Sequence, residues 1–273
     1  MHCRLAVALF TILPLTACGL WRPASTPTTL PDAPVILLGE QHDAEAHQSL
    51  QAAAVRQLAQ EDRLVAVVME MAEQGRDTRG LPPQASEALV QERLRWSNDA
   101  WPWRQYGPVV MAAVRLGVPV VGGNLPRDAM DEAMSDPARD QALDLAARER
   151  QTEDIRQSHC GLLPESQVPG MVRIQIARDQ AMAGTVAGLL QPGRSVVLIA
   201  GARHVVRDLG VPRHWAPALQ ARAHVVVMQA GAESETAAAA DRVADAVWTT
   251  PALPPVDHCA ALRSRTISVW PTL

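Results

Sequence analysis

The sequence is poor in aromatic residues and has no stripe of basic side chains, and both absences narrow what the protein can bind. It contains one phenylalanine and one tyrosine, and its formal net charge is −4 over 273 residues. Nucleic-acid binding needs clustered cations for the phosphates, commonly joined by aromatic rings that stack on bases. These deficits therefore exclude nucleic acid as a partner.

Long apolar runs are also missing, even near the N-terminus. The run Leu5–Leu15 is interrupted by a proline and is shorter than the roughly 20 residues that span a membrane as a helix. Arg4 precedes it and Leu15-Thr16-Ala17-Cys18 ends it, which is typical of a bacterial lipoprotein signal with Cys18 as the lipidated residue. A plain secretory signal is the alternative. Gly19 after the cysteine favours the outer membrane, so we expect an outer-membrane lipoprotein of the bacterial cell envelope.

The sequence predicts a signal peptide, a tether and one domain. Removal of residues 1–17 as signal peptide leaves a segment rich in Pro, Thr and Ser over residues 18–34, which is typical of a flexible tether. Hydrophobic residues make up 48% of the sequence. The rest of the chain, residues 35–273, can therefore bury a full core as a single domain.

Four unbroken apolar runs predict strands buried on both faces, because an exposed strand would alternate apolar with polar residues. They are Val35–Leu38, Leu64–Met69, Val118–Val121 and Ser195–Ala200. Gly39 ends the first run. A helix capped by Asp43 follows, with His47, Leu50, Ala54 and Leu58 on one face. Strands alternating with helices predict an α/β fold: a mainly parallel sheet flanked by helices.

Polar residues stand at the ends of these strands. Right-handed helical crossovers would bring the carboxyl ends of parallel strands to one edge of the sheet, where α/β proteins place their ligands. The sequence therefore predicts that five side chains converge: Glu40, His42, Glu70, Asn124 and His204.

Other segments give weaker signals. Helices are expected at Gln84–Arg95 and Pro108–Leu116, and a helical insert at about 127–190 is expected to contain Asp128–Met134, Ala138–Ser158 and Val168–Leu190. Further strands are expected at Ala223–Met228 and Arg265–Trp270. The segment Ala237–Val247 reads either as a helix or as the approach to an edge strand at Ala246–Thr249. The tryptophan-rich stretch Trp96–Trp103 can wall a flat ligand or cap the core.

Several motifs together resemble the Tiki/erythromycin-esterase/ChaN superfamily. Gly39-Glu40-Gln41-His42, Met69-Glu70 and Gly201-x-x-His204 are similar to its two GxxH motifs and its glutamate. Four further motifs resemble the ChaN branch of this superfamily, which consists of bacterial lipoproteins associated with haem binding and iron uptake. They are Trp103-x-x-Tyr106, Asn124-x-Pro126-Arg127, Arg178-Asp179-x-x-Met182-Ala183 and Val211-Pro212. The resemblance covers roughly Val35 to Leu262. It departs at Arg203, where ChaN-like chains commonly have glycine.

This resemblance implies haem binding, a membrane anchor at Cys18 and a role beside an outer-membrane iron-uptake system. The ligand-binding residues are then expected among His47, Trp103, Tyr106, Asn124, Arg127, Arg178, Asp179, Met182 and Arg203. Arg178 and Asp179 also fit an exposed charge pair on neighbouring helix faces. As iron ligands the sequence offers its single tyrosine, Tyr106, or His159, His214, Met171 and Met182, without ranking them.

The cysteines carry a separate prediction. With Cys3 cleaved and Cys18 acylated, Cys160 and Cys259 remain in an exported, oxidising compartment. A disulfide between them is expected, closing a loop of about 100 residues. A Cys/His metal site with His159 and His258 is the alternative, although the tight spacing of such sites is absent.

The strand-end cluster supports a second kind of function. Glu40, His42, Glu70 and His204 suit a divalent transition metal that activates a water, or metal-free acid–base catalysis. A metal-dependent or acid–base hydrolase is therefore the alternative to haem binding, and a structural role for the two histidines is a third interpretation. Carboxylates gathered without a cation should have raised pKa values. Replacing Glu70 with glutamine would then cost the empty protein little stability.

We expect a Cys18→Ser substitution to leave the protein uncleaved or unanchored, because the thiol is the acylation site. Membrane fractionation of cells with and without globomycin, which blocks lipoprotein-specific cleavage, measures this. Globomycin-insensitive processing of the wild type, with release of soluble protein, would contradict the lipoprotein interpretation.

Overall fold

The computed structural model of the protein describes residues 30–231, 244–260 and 262–263. The predicted signal peptide, Cys18, most of the tether and the strand expected at Arg265–Trp270 lie outside these residues. Within the described ranges, no helix combines the length and apolar character needed to cross a membrane.

Strands and helices alternate along the first part of the chain, and a block of helices interrupts them. In order they are β1 (Val35–Glu40), α1 (Glu45–Gln60), β2 (Leu64–Glu73), α2 (Glu87–Leu94), α3 (Trp103–Arg115), β3 (Val120–Asn124), α4 (Met130–Ser135), α5 (Leu145–Ser158), α6 (Val168–Ala187), β4 (Ser195–Gly201), α7 (Ala202–Val205), α8 (Pro217–Gln220), β5 (His224–Ala230) and β6 (Ala246–Thr250). Short 3-10 turns at Arg127–Ala129, Pro137–Ala142, Glu165–Gln167 and Val211–His214 connect some of them.

The six strands form one parallel sheet in the order β3-β2-β4-β1-β5-β6. This confirms the predicted α/β fold. The central strands are β2, β4 and β1, and the last residue of β1, Glu40, lies opposite the last residue of β4, Gly201. The carboxyl ends of three neighbouring strands therefore meet in the middle of one sheet edge.

Helices bury both faces of the sheet, as the unbroken apolar runs predicted. On one face α1 and α3 cover alternate strand residues such as Ile36 and Ile199. On the other face α6 covers the intervening residues, among them Leu37 and Leu198. Each fully buried side chain of this size stabilises the fold by roughly 1.5 to 3 kcal/mol, so the two layers fix the positions of the strand ends.

The helical insert has a small core of its own. Apolar side chains from α5 and the residues just before it, from α6 and from the chain after α7 pack together: Leu143, Ala147, Ile155, Val168, Val172, Ile176 and Leu209. The insert is therefore held as a wall beside the carboxyl edge of the sheet.

Helices α2 and α4 begin two or three residues after their expected starts at Gln84 and Asp128, and α3 and α5 depart further. The helix expected from Pro108 begins at Trp103, with Pro108 inside it, and this earlier start places Tyr106 in a buried position. The helix expected from Ala138 begins at Leu145, because the side chain of Asp144 accepts the backbone N–H of Ala147 and caps it there. Residues 137–142 form a 3-10 turn instead.

Helix α1 also departs from expectation at its start. The residue before it is Ala44, and no side chain caps it, so the prediction that Asp43 does so is wrong. Asp43 faces His258 instead, with its Oδ2 3.4 Å from the imidazole Nε2.

The strands run further than the apolar runs suggested. β1 continues through Gly39 to Glu40, and β2 continues past Met69 to Glu73, because backbone pairing with neighbouring strands persists there. The edge strand expected near residue 246 is confirmed as β6, which pairs with β5. The site residues therefore lie on strand ends rather than in loose turns.

Both ends of the described chain are attached to the domain. Leu30 and Ala33 are buried, and the backbone oxygen of Ala33 accepts the hydroxyl of Ser195 at 2.6 Å, so the packed domain already includes the last residues of the predicted tether. At the other end Cys160 and Cys259 form a disulfide with a sulfur–sulfur distance of 2.01 Å. It joins the end of α5 to the segment that follows β6.

Candidate functional site

A pocket of about 980 Å³ opens at the carboxyl edge of the sheet. Its floor is made by the ends of β1, β4 and β5, and one side is formed by α5 with Gln151, Asp154 and Ile155. His258, from the segment after β6, also borders it. Of the five side chains predicted to converge, Glu40, His42 and His204 line this pocket, and Glu70 lies directly behind them.

Glu40 holds His42 in place. Its Oε1 lies 2.8 Å from His42 Nδ1, so the imidazole turns its other nitrogen, Nε2, toward the interior of the site. The side chain of His42 is 42% exposed, whereas that of Glu40 is fully buried. The Trp101 indole and the imidazole pack in a T-shaped contact, with 4.9 Å between ring centroids.

The Glu40 carboxylate has no capacity left for a further ligand. Besides the His42 contact, it accepts the hydroxyl of Tyr106 at 2.6 Å and the side-chain amides of Gln48 at 2.9 Å and Gln51 at 2.6 Å. A carboxylate offers about four acceptor positions, and all are used here. The geometry therefore gives Glu40 the task of positioning His42.

Glu70 lies between two imidazoles. Its Oε2 is 4.0 Å from His42 Nε2 and accepts the backbone N–H of Gly201 at 2.8 Å, while its Oε1 is 3.5 Å from His204 Nε2. The other nitrogen of His204, Nδ1, lies 2.6 Å from Asp179 Oδ1. Each imidazole thus has a carboxylate behind it and faces Glu70 with its Nε2 atom.

Close packing at Gly201 makes this arrangement possible. A Cβ atom at this residue would lie 2.8 Å from His42 Nε2, so any larger residue would push the imidazole away from Glu70. The glycine of the second GxxH motif is therefore required by the approach of His42.

The alternating charges change the pKa values of the cluster. Burial would lower the pKa of His204, but Glu70 and Asp179 outweigh it and raise the pKa to about 9. Burial opposes protonation of His42 as well, yet the hydrogen bond to Glu40 and the charge of Glu70 raise its pKa. For Glu70, burial would raise the pKa, but the two imidazoles lower it. The expectation of a raised pKa for Glu70 is therefore wrong, because imidazoles separate the carboxylates.

Tyr106 and the tryptophans form an aromatic cluster next to the site. Trp96 and Trp101 pack around Tyr106 at ring-centroid distances of 6.0 and 5.8 Å, and Trp103 donates its indole N–H to Glu87 at 2.7 Å. Burial and the charge of Glu40 raise the pKa of Tyr106 well above its ordinary value. Trp96 belongs to the core and Trp101 and Trp103 pack against it, so the cluster caps the core and reaches the site through the contact of Trp101 with His42.

Two of the residues expected to bind ligand are buried in the core. His47 is fully buried, accepts the backbone N–H of Gln41 at its Nδ1 and lies 3.1 Å from the Thr250 hydroxyl through Nε2. Met182 is also fully buried, against Gly123 on the opposite face of the sheet.

Two others lie beside Glu70 on the β3 side. Asn124 donates its side-chain amide to the backbone oxygen of Glu70 at 2.9 Å, which joins the end of β3 to β2 at this residue. Arg127 is exposed, and its backbone N–H donates to Glu73.

The remaining candidates, Arg178, Asp179 and Arg203, lie near the site. Asp179 is buried behind His204, and Arg178 is close enough for its charge to lower the pKa of Glu70. These placements match the sheet-edge alternative rather than an exposed pair. Arg203, at the position where the sequence departs from the ChaN pattern, lines the pocket and pairs with Asp154 at 2.8 Å.

Gln48 and Gln51 were missed by the sequence reasoning. Both are buried and donate to Glu40. A signal was present, since two glutamines lie within the helix face that carries His47, Leu50 and Ala54. Polar residues on a core-facing stripe indicate a buried hydrogen-bond partner.

Comparison with known proteins identifies a family for this chain. The family described as haem-binding uptake, Tiki superfamily, ChaN matches residues 27–215. Among solved structures, ChaN of Campylobacter jejuni, reported with cofacial haem, is 22% identical, with a TM-score of 0.60 over 74% of this chain and 84% of that one. A Bacillus cereus protein is 13% identical, with a TM-score of 0.36 over 73% of this chain and 66% of that one. No curated protein matches.

The family match spans well over half of the chain and includes all the strand-end residues described above. The protein therefore belongs to the haem-binding uptake (ChaN) family of the Tiki superfamily. The C. jejuni structure agrees with the parallel sheet and its flanking helices.

We expect Glu70→Gln to destabilise the protein by about 3 kcal/mol near pH 6, because it removes the buried counter-ion of the buried His204 imidazole and of the half-exposed His42 imidazole. The raised pKa of His204, about 9 against about 6.5 in an unfolded chain, adds stability that is present below pH 6.5 and lost as pH rises toward 9. Urea unfolding from pH 6 to 9 should show this loss in the wild type and a smaller one in the variant.

Glu73→Gln is the matched control, because it changes a partly exposed carboxylate on the same strand. It should keep both the stability and the pH dependence of the wild type. Equal stability of Glu70→Gln and wild type at pH 6 would show that Glu70 is not the counter-ion of the imidazoles.

Proposed function

We propose that this protein binds haem in the pocket at the carboxyl edge of its sheet, as an envelope lipoprotein anchored through Cys18 and acting in bacterial iron uptake. The family match over residues 27–215 is the observation that carries this proposal. The sequence of the leader supports the anchor, and the resemblance to ChaN supports the uptake role.

The pocket suits a flat, partly apolar ligand. Its volume of about 980 Å³ falls at the upper end of the range typical of ligand sites, roughly 300 to 1,000 Å³. The apolar residues that border it are Ala230, which is partly exposed, and Ile155, Val227 and Met228, which are largely buried. Arg203, which pairs with Asp154 at 2.8 Å, is a permanent cation at the rim, and its guanidinium could exchange that partner for a propionate.

Tyr106 is not arranged to bind the iron of such a haem. Its side chain is 1% exposed, and its hydroxyl donates to Glu40. Burial raises the pKa of the phenol, which opposes the tyrosinate that iron requires. An iron ligand would have to come from a different residue.

One arrangement favours a second candidate function, the binding of a divalent metal ion below the haem pocket. In the part of the chain that is described, no group of three or more His, Cys, Asp or Glu side chains is already placed around a metal position. However, the Nε2 atoms of His42 and His204 both face Glu70, and carboxylates orient both Nδ1 atoms. Carboxylate-backed imidazoles of this kind are usual around protein-bound metals.

The charges are consistent with such a metal. With both imidazoles protonated, the cluster holds two positive charges between Glu40, Glu70 and Asp179. A divalent cation that displaced the two Nε2 protons would leave the total charge unchanged. A bound water with a lowered pKa would then be available for hydrolysis, the chemistry of the hydrolase alternative.

Haemin titrated into the tag-free domain should produce a saturable shift of the haem absorption band. Ala230→Trp, which places an indole in the pocket, should weaken this binding by about tenfold or more, because it occupies space that the macrocycle needs. Ala221→Trp, at an exposed position beyond α8, is the matched control and should bind as the wild type does. Equal binding by both variants would place haem elsewhere, and no saturable binding by the wild type would refute the haem function.

Zn²⁺, Mn²⁺ and Co²⁺ titrations test the second candidate in the same preparation. Metal must displace protons from His42 and His204, whose pKa values are raised, so affinity should increase with pH up to about 9. His204→Gln should abolish binding, whereas His224→Gln, which changes an imidazole at the start of β5, should not. Calorimetry that detects no binding at pH 9 would exclude the metal site.

A further inference from the structure

Haem iron needs an axial ligand, and few side chains of this protein can supply one. Protein ligands for haem iron are histidine, methionine, cysteine and tyrosine. Tyr106 is buried and bonded to Glu40, and Cys160 and Cys259 are joined in a disulfide. Met228, the methionine that borders the pocket, is only 2% exposed. Histidine is therefore the type of ligand to seek.

Several histidines of the described chain do not border the pocket. His47 is buried in the core, and His224 lies at the start of β5, the end of the strand away from the pocket. His159 contacts the backbone oxygen of Ile155 through its Nδ1 atom at 2.8 Å, and neither it nor His214 borders the pocket. The imidazoles that do border the pocket belong to His42, His204 and His258.

A haem macrocycle cannot reach the Nε2 atoms of His42 and His204, the inner two histidines. Their Nε2 atoms face Glu70, and the backbone of Gly201 lies directly beside His42 Nε2. A single metal ion needs little space there, but a porphyrin needs a clear plane around the coordinating nitrogen. Haem could reach either Nε2 atom only by displacing Glu70 from a hydrogen bond and two charge contacts.

His258 is the most exposed of the three, since the side chain of His204 is 11% exposed and that of His42, whose Nε2 atom faces inward, is 42% exposed. The side chain of His258 is 67% exposed at the pocket, and its partner is Asp43, 3.4 Å away. That contact is longer than a normal hydrogen bond and is largely exposed, so it is weak enough to be exchanged for iron coordination. The short helical turn that carries His258 is capped by the side chain of Asp257, which accepts the backbone N–H of Ala260.

The disulfide determines where His258 lies. Cys259 is the next residue, and its bond to Cys160 attaches this turn to the end of α5, the helix that forms one wall of the pocket. Residues 251–257 between β6 and this turn have no helix or strand structure. Without the disulfide, the segment would depend on weak surface contacts to keep its imidazole at the pocket.

We propose that His258 is the axial ligand of haem iron and that the Cys160–Cys259 disulfide holds it in position. This inference rests on the proposed haem-binding function and assigns that function an iron ligand. His258 and Cys259 lie beyond residues 27–215, the part that matches the family, so the ligand is a feature of this chain's own C-terminal segment. The chain contains no lysine. Arg203, the arginine that lines the pocket, would have to exchange its contact with Asp154 to bind a propionate.

Haemin titrations of four proteins test this: wild type, His258→Ala, His159→Ala and the double variant Cys160→Ser/Cys259→Ser. Absorption and electron paramagnetic resonance spectra of the ferric complexes report the iron ligand. His258→Ala should bind haem about tenfold more weakly or worse, with a changed spectrum, and added imidazole should restore the wild-type spectrum. The double variant should bind more weakly but reach the wild-type spectrum at saturation, because it retains His258.

His159→Ala is the matched control, since it removes the imidazole that precedes the other disulfide cysteine and should change nothing. His258→Ala binding with wild-type affinity and spectrum would overturn the assignment while leaving the haem function intact. If His159→Ala instead lost haem affinity and changed the spectrum, the assignment of His258 would also be overturned. Failure of the wild type itself to bind haem would refute the haem function, and the ligand assignment with it. Melting curves of every variant, unchanged for the exposed His258 position, exclude unfolding as the cause.

Discussion

The centre of the structure is an alternation of acids and bases that begins and ends with a carboxylate: Glu40, His42, Glu70, His204 and Asp179. The joining distances are 2.8, 4.0, 3.5 and 2.6 Å. Three carboxylates buried together would cost several kcal/mol each without partners. Because each imidazole lies between two of them, every member depends on its neighbours. The members of this row come from β1, β2, α6 and α7 and the turn after β1, so the row joins these elements at one edge of the sheet.

Much of this row could be predicted from the sequence, and the reason is geometric. Unbroken apolar runs identify strands buried on both faces, and parallel strands bring their carboxyl ends together. Glu70 follows such a run directly, Glu40 follows one after a single glycine and His204 follows one after three residues, so their convergence was predictable without any contact information. The position of Asp179 near the site could be predicted only from the family resemblance. It lies on a helix of the insert, where spacing along the chain gives no information about distance to the sheet.

The electrostatics could not be predicted in the same way. A list of converging residues gives the number of carboxylates but not their order, and the order determines the pKa values. Glu70 between two imidazoles has a lowered pKa, whereas beside Glu40 it would have had a raised one. The same limit applies to Tyr106. As the single tyrosine of the sequence it was a candidate iron ligand, but α3 begins earlier than expected and its side chain points inward to Glu40.

The site therefore has two levels with different physical demands. The inner row is buried except at His42 and is fully satisfied at Glu40, and its three carboxylates face two imidazoles, which suits protons or a small cation and excludes anything larger. Its imidazoles and Glu70 lie within the residues that match the family. The outer level is an open pocket whose border includes an exposed imidazole on a segment attached by one disulfide. A large ligand at the outer level need not disturb the inner row, so ligand binding at the pocket and proton or cation binding below it are separable properties of one sheet edge.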